Sequence, residues 1–157
     1  MTKQKKKIPG AIASNRKALH DYSIIEHIEA GIVLEGWELK SIRAGKVQLR
    51  DSYVVFKDGE AWLLNTHISA LSTVSTHKVA DPVRSRKLLL HKKELANLRK
   101  GVQQEGNTLV PLNLHWRHNR VKIEIALARG KKQHDKRDSA KESEWQREQS
   151  KLLKRKL

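Results

Sequence analysis

The chain has no cysteine, so disulfides, thiolate metal sites and cysteine nucleophiles are excluded. That fits a reducing compartment. No apolar run approaches the roughly 18 residues needed to span a bilayer. The basic opening "MTKQKKKIPGA" is not followed by an apolar segment, so it is not a secretory signal. The expectation is a cytoplasmic protein with no membrane partner. GxSxG, P-loop and GxGxxG patterns are missing, and no paired carboxylates fall on adjacent predicted strands. An enzyme is therefore not expected, nor a cofactor. Negative charge is scarce too: 17 Asp and Glu stand against 33 Lys and Arg, a formal charge of +16 in 157 residues. A surplus of that size calls for an anionic partner, nucleic acid first and an anionic membrane second.

What is present is mostly alternation. "HDYSIIEHIEAGIVL" places Tyr22, Ile24, Ile28, Ala30, Ile32 and Leu34 on one face, Glu26 excepted, and predicts a long strand bent near Gly31. "EGWELKSIRAGK" changes period, with Leu39 and Ile42 three apart and Gly45 as a stop, and predicts a short helix. "DSYVVFKDGEAWLLN" reads as a hairpin turning at Asp58-Gly59. Residues 66–80 read as loop. "DPVRSRKLLLHKKELANLRKG" reads as a helix that starts at Pro82 and ends at Gly101. "NTLVPLNLHW" and "RVKIEIALA" flank "RHN" as a second hairpin, with Pro111 marking an edge or a bulge. Strands in hairpin pairs outnumber helices. The fold class is mainly β: an OB-like antiparallel β-barrel with two or three peripheral helices and a basic C-terminal tail. The divisions are a basic arm over 1–14, a barrel over 15–129 and a tail over 130–157.

The tail carries ten Lys and Arg against five Asp and Glu over residues 131–157. Ser139 and Glu142 have capping-box spacing, and Trp145, Leu152 and Leu153 form a thin apolar stripe. So thin a stripe cannot offset the ordering of the whole segment in water. The expectation is a tail without fixed structure alone and helical on an anionic partner.

Individual candidates have competing readings. His20-Asp21 and His134-Asp135 spell the HD pair of some metal hydrolases, but a lone dipeptide more often means an exposed histidine beside a solvated carboxylate. His115 and His118 flank a turn without a carboxylate nearby, which does not suit a metal. Arg84, Arg86, Lys87, Lys92 and Lys93 around Leu88–Leu90 are either the solvated face of a helix or a phosphate-contacting patch. Trp37, Trp62 and Trp116 lie in patterned segments and suit a core. Trp145 lies where no core is available, and its indole needs a partner surface or a stacked base.

Four stretches in order, "NRKALHDYSIIEHIEAGIVLEGWELKSIRAGKVQLRDSY", "RSRKLLLHKKEL", "TLVPL" and "GKKQHDKR", resemble the SmpB family of SsrA-binding proteins. The resemblance runs from about Asn15 to Trp145. It departs from the family pattern at Leu39, where valine is expected, and at His115, where an aromatic is expected. It implies an OB-type barrel that binds the tRNA-like domain of tmRNA and enters stalled ribosomes with elongation factor Tu and GTP, without catalysis of its own. The tail would lie in the empty message channel at the decoding centre. Asn15 and Glu29 would belong to the RNA face, with Leu89 supporting it by packing and Glu29 either accepting from base amino groups or a 2′-hydroxyl or orienting an arginine such as Arg43. Lys131, Lys132, Lys136 and Arg137 would meet rRNA phosphates, His134 would stack on a base and Asp135 would set the turn into the tail helix. The competing reading is a ribosomal or ribosome-assembly protein, which would share the charge and the basic tail.

Overall fold

Period-two alternation becomes a closed antiparallel ring of strands. The computed structural model describes residues 10–71, 80–131 and 144–149. Its elements in chain order are β1 (Ala11–Ser14), α1 (Arg16–Asp21), β2 (Tyr22–Ile32), α2 (Gly36–Arg43), β3 (Val47–Gln48), β4 (Tyr53–Lys57), β5 (Glu60–Leu64), β6 (His67–Ile68), β7 (Arg86–Leu89), α3 (Lys92–Glu105), β8 (Thr108–Arg117) and β9 (Arg120–Gly130). A helical segment at 144–149 adds to the three named helices. The neighbour order is β1-β8-β4-β5-β7-β2-β9, and a β8–β9 pairing closes it, so six strands form the ring and β1 adds to β8 outside it. This is the barrel expected from the alternation. Closure leaves few free edges, which suits a protein built from short hairpins.

The interior is filled by Leu63, Leu88, Leu114, Ile123 and Ile125, all fully buried, with Ala30, Leu98 and Leu109 nearly so. Burial of each such leucine or isoleucine stabilises by about 1.5–3 kcal/mol. Two positions show why glycine and turn residues stand where they do. A Cβ at Gly101, inside α3, would lie 2.5 Å from Leu127 Cδ2, so glycine lets the helix sit close on β9. The β4–β5 turn needs positive φ at both Asp58 (52°) and Gly59 (77°), the conformation that Asp-Gly tolerates.

Several local readings change in the fold. β2 does not present one continuous apolar face. A bulge between Ile24 and Glu26 puts one extra residue into the strand, and everything beyond it changes sides. Tyr22 and Ile24 therefore pack outside the barrel with Ala18, Val110, Ala126 and Ala128, while Ile28 and Ile32 face the main core. The bulge also accounts for Glu26, which is exposed. Pro111 is tolerated for a related reason: the register of β8 shifts between Pro111 and Asn113, so the proline sits at a bulge rather than on an edge.

The predicted helix from Pro82 is corrected. Arg86–Leu89 is a strand between β5 and β2, α3 starts only at Lys92 behind the capping residue His91, and it runs through Gly101 to a left-handed stop at Gly106. Tertiary pairing of "RKLL" overrode its helical propensity. Ala11–Ser14, within the expected arm of 1–14, pairs with β8, and residues 67–68 of the expected loop pair with β3.

Candidate nucleic-acid interface

The outer surface of the β2, β9 and β8 strands is divided in two. Its lower part is apolar and covered by α1. Asn15 makes that cover possible. It caps α1 by accepting from the Ala18 backbone N–H at 3.2 Å, and its Nδ2 donates to the Pro111 carbonyl at 2.9 Å. The bulge in β8 thus receives the helix start. Asn15, expected on the RNA face, is buried, and both polar ends of its side chain are used in positioning α1.

The upper part is polar. Register places Asn113, Glu124 and Glu29 in one row across the three strands, and His115, Lys122 and Gly31 in the next. The side chains in these rows form a continuous chain. His27 Nδ1 meets Glu124 Oε1 at 2.8 Å, and Asn113 Nδ2 donates to Glu124 Oε2 at 2.9 Å. Asn113 Oδ1 lies 2.8 Å from His115 Nδ1, and His115 Nε2 lies 2.9 Å from Glu29 Oε2. Arg117 Nη1 donates to the same Glu29 oxygen at 2.8 Å. Burial works to raise the Glu29 carboxyl, but hydrogen bonds and charges from His115 and Arg117 outweigh it, and the group is held below the ordinary glutamate range. With the folded value depressed, this cluster's stabilisation is in place above the ordinary range and is lost as pH falls through the lowered value.

Leu89 stands beside this row. It is 53% exposed, and its Cβ packs so close to Gly31 that a Cβ there would lie 3.0 Å away. Two adjoining clefts, of about 260 and 440 Å³, share Gly31, Leu89 and Lys122, and the larger also takes in Glu29. Glu29 and Leu89, 60 residues apart in sequence, therefore border one concave site with an acceptor, an exposed aliphatic surface and a cation. That set can accept from base amino groups or a 2′-hydroxyl, cover a base face and meet a phosphate.

The other expected residues are distributed unevenly. Arg43 does not pair with Glu29: its guanidinium lies 5.9 Å from the Trp116 ring centroid, and Arg117 takes the place assigned to it. Arg86 is not a phosphate contact. It is fully buried, donating from Nε to Glu38 Oε2, from Nη1 to the Thr66 carbonyl at 2.7 Å and from Nη2 to the Pro82 carbonyl at 3.2 Å. Burial pulls its pKa down, against the hydrogen bond and charge of Glu38. Arg84 joins the same carboxylate and also approaches Glu35 at 3.7 Å. Lys87 is half-exposed, 3.8 Å from Glu60. Lys131 continues β9 by donating its N–H to the Asp21 carbonyl at 2.9 Å. Trp145 is 60% exposed, and Lys132, His134, Asp135, Lys136 and Arg137 lie outside the described residues.

Sequence reasoning missed His115, Arg117 and Lys122 as members of the site. The signal was the hairpin parity of "HWR" against "VKIE", which puts His115 opposite Lys122 once the turn is placed at His118-Asn119, the two positive-φ residues, rather than across "RHN".

Comparison with known proteins follows the same lines. A family model described as "SmpB protein" matches residues 12–155. The SsrA-binding protein of Coxiella burnetii (strain Dugway 5J108-111) is 60% identical over 156 residues, covering 98% of each chain. That of Pseudomonas aeruginosa (strain LESB58) is 60% identical over 148 residues, covering 94% of this chain and 93% of its own. A chain of the solved structure "tmRNA-SmpB: a journey to the center of the bacterial ribosome" is 49% identical, covering 76% of this chain and 84% of its own, with a TM-score of 0.63.

Proposed function

The chain belongs to the SmpB family, and on that premise we propose that it is the RNA-binding adaptor of ribosome rescue. It binds the tRNA-like domain of tmRNA and brings it to stalled ribosomes for trans-translation. The observation that carries this is likeness to SsrA-binding proteins over nearly the whole chain. The concave site of Glu29, Leu89 and Lys122 on a chain of charge +16 gives that reading a physical face. The protein does no chemistry itself; its work is positioning, in the cytoplasm where ribosomes are, with elongation factor Tu and GTP as companions in delivery.

On this reading Glu29 Oε2 is held by His115 and Arg117, while Oε1 has no partner among the described residues and is the acceptor offered to RNA. Leu89 covers a base or sugar face. Arg43, Arg84, Lys87 and Lys122 supply positive potential around it. The tail, 130–157, enters the message channel when message is absent and gains helical order there. Lys131, Lys132, Lys136 and Arg137 meet rRNA phosphates, Asp135 sets the turn, and His134 and Trp145 stack on bases.

Sequencing the RNA that co-purifies with the protein at moderate salt tests the whole reading. Selective enrichment of tmRNA is expected. Stoichiometric presence on all idle ribosomes, without that enrichment, would instead identify a ribosomal protein. A sharper expectation concerns Glu29→Ala. Affinity for the tRNA-like domain should fall about tenfold, the loss of one charge-assisted hydrogen bond. The salt slope should stay unchanged, because no phosphate contact is deleted. Titration at several salt concentrations reads both quantities.

A further inference from the structure

The closed end of the β8–β9 hairpin sets like charges against each other. Arg117 and Arg120 are register partners beside the turn, and Lys122 stands in the next row, opposite His115. Both arginines are exposed. Like charges directly opposite each other on paired strands are destabilising. Glu29 offsets Arg117 at 2.8 Å, whereas Arg120 has no ion-pair partner among the described residues. No acidic residue falls between Arg117 and Lys122 to offset it. Arg120 also lines the cleft of about 260 Å³ with Gly31, Leu89 and Lys122, so the arginine pair adjoins the site built on Glu29 and Leu89.

The N-terminal arm departs from the same place. β1 pairs with β8 on the edge away from β9 and runs antiparallel to it, with Ala11 opposite His115. β1 therefore begins at the Arg117 end of β8. Gly10 fixes the entry. Its carbonyl accepts from the Trp116 N–H at 2.8 Å, its φ is 75°, and a Cβ there would lie 2.7 Å from the Trp116 carbonyl oxygen. The sequence before it holds Lys3, Lys5, Lys6 and Lys7 and no acidic residue. Counted from Gly10, an extended backbone can carry Lys7 at most about 11 Å and Lys3 about 25 Å.

We propose that the hairpin end, Arg117 and Arg120, and the lysines of the arm form one phosphate-binding track that extends the Glu29–Leu89 site along the backbone of the tRNA-like domain of tmRNA. The inference rests on the proposed binding of that RNA. Glu29 and Leu89 meet base and sugar, and the track holds the flanking phosphates. A phosphate beside Arg117 and Arg120 relieves the like-charge contact of the free hairpin. Each further lysine that meets a phosphate releases counterions, so the track is read as salt dependence.

The test titrates full-length variants against the isolated tRNA-like domain at several salt concentrations. Arg120→Gln should weaken binding about fivefold and lower the slope of log affinity against log salt by about one. Arg120 is exposed and outside any ion pair among the described residues, so the barrel should not be disturbed. Arg120→Lys keeps the charge and should keep the slope. Replacing Lys3, Lys5, Lys6 and Lys7 together by Gln should lower the slope by about two to four and weaken binding at least about tenfold. Replacing Lys151, Lys154, Arg155 and Lys156 by Gln removes the same four charges from the other end of the chain and should change the slope by less than about one. An arm variant that loses no more slope than this tail variant would trace the effect to net charge and overturn the track. Arg120→Gln with the wild-type slope overturns it as well. Wild-type protein without affinity for the domain would reject the functional reading itself. Affinity that falls in Glu29→Ala but holds its slope in the Arg120 and arm variants would reject the track alone.

Discussion

A chain ending at Gly130 is expected to bind tmRNA with nearly full affinity and to leave stalled peptides untagged. The cut removes ten Lys and Arg and five Asp and Glu, so a net charge of +11 out of +16 remains. The polar row on β2, β8 and β9 and the clefts around Leu89 all lie before it. The cut also removes the backbone hydrogen bond from Lys131 to Asp21 at the end of β9. Affinity for the isolated tRNA-like domain should therefore fall by no more than about threefold, the part owed to long-range attraction. Tagging should drop by at least about a hundredfold, because on the proposed reading the tail is the segment that occupies the vacant message channel. Filter binding reads the first quantity, and a reconstituted translation reaction on message-less ribosomes reads the second. A truncated chain that still tags would remove the tail from the mechanism. One that no longer binds the isolated domain would move the RNA face into the tail.

Glu38→Ala is expected to be the most damaging single change in the barrel. Glu38 is fully buried on α2 and accepts from three donors: Nε of Arg86, Nη2 of Arg84 and the Glu35 backbone N–H at 2.7 Å. Arg86 is fully buried as well and ties the carbonyls of Thr66 and Pro82 to this centre. Thr66 in turn donates to Ser52 Oγ at 2.9 Å. One carboxylate thus joins α2, the segment before β6 and the approach to β7. Removing it strands a buried guanidinium, which costs about 3–5 kcal/mol. Against a whole-domain stability of about 5–15 kcal/mol that is a large share. The melting midpoint should drop by about 10 °C. Glu38→Leu combined with Arg86→Met should recover much of the loss, because a packed apolar pair avoids the desolvation of both ions. A Glu38→Ala protein that melts within 2 °C of wild type, a bound of about 1 kcal/mol, would show that the centre is dispensable.

This centre was hidden in the sequence. Arg84, Arg86 and Lys87 read alike as a basic run, yet the fold sends Arg86 inward, ties Arg84 to two carboxylates and leaves Lys87 half-exposed. The difference comes from "RKLL" being a strand, where alternate side chains face opposite ways, rather than the helix its composition favours. The same geometry exchanged Arg43 for Arg117 as the arginine beside Glu29. Both readings depended on which residues face which side, and a single bulge reverses that for a whole strand.

Composition and order alone determined the anionic partner, the hairpin-built barrel, both hairpin turns and the short helix at Gly36–Arg43, because each depends on charge balance or on contacts a few residues apart. Tertiary structure decided the rest. The bulges after Ile24 and Pro111 set which side chains of β2 and β8 share a surface. The pairing of β2 with β9 brought Glu29 to His115, Arg117 and Lys122 on the β8–β9 hairpin. Side-chain chemistry is written in the sequence, but the surface it acts on belongs to long-range register, which no local pattern specifies.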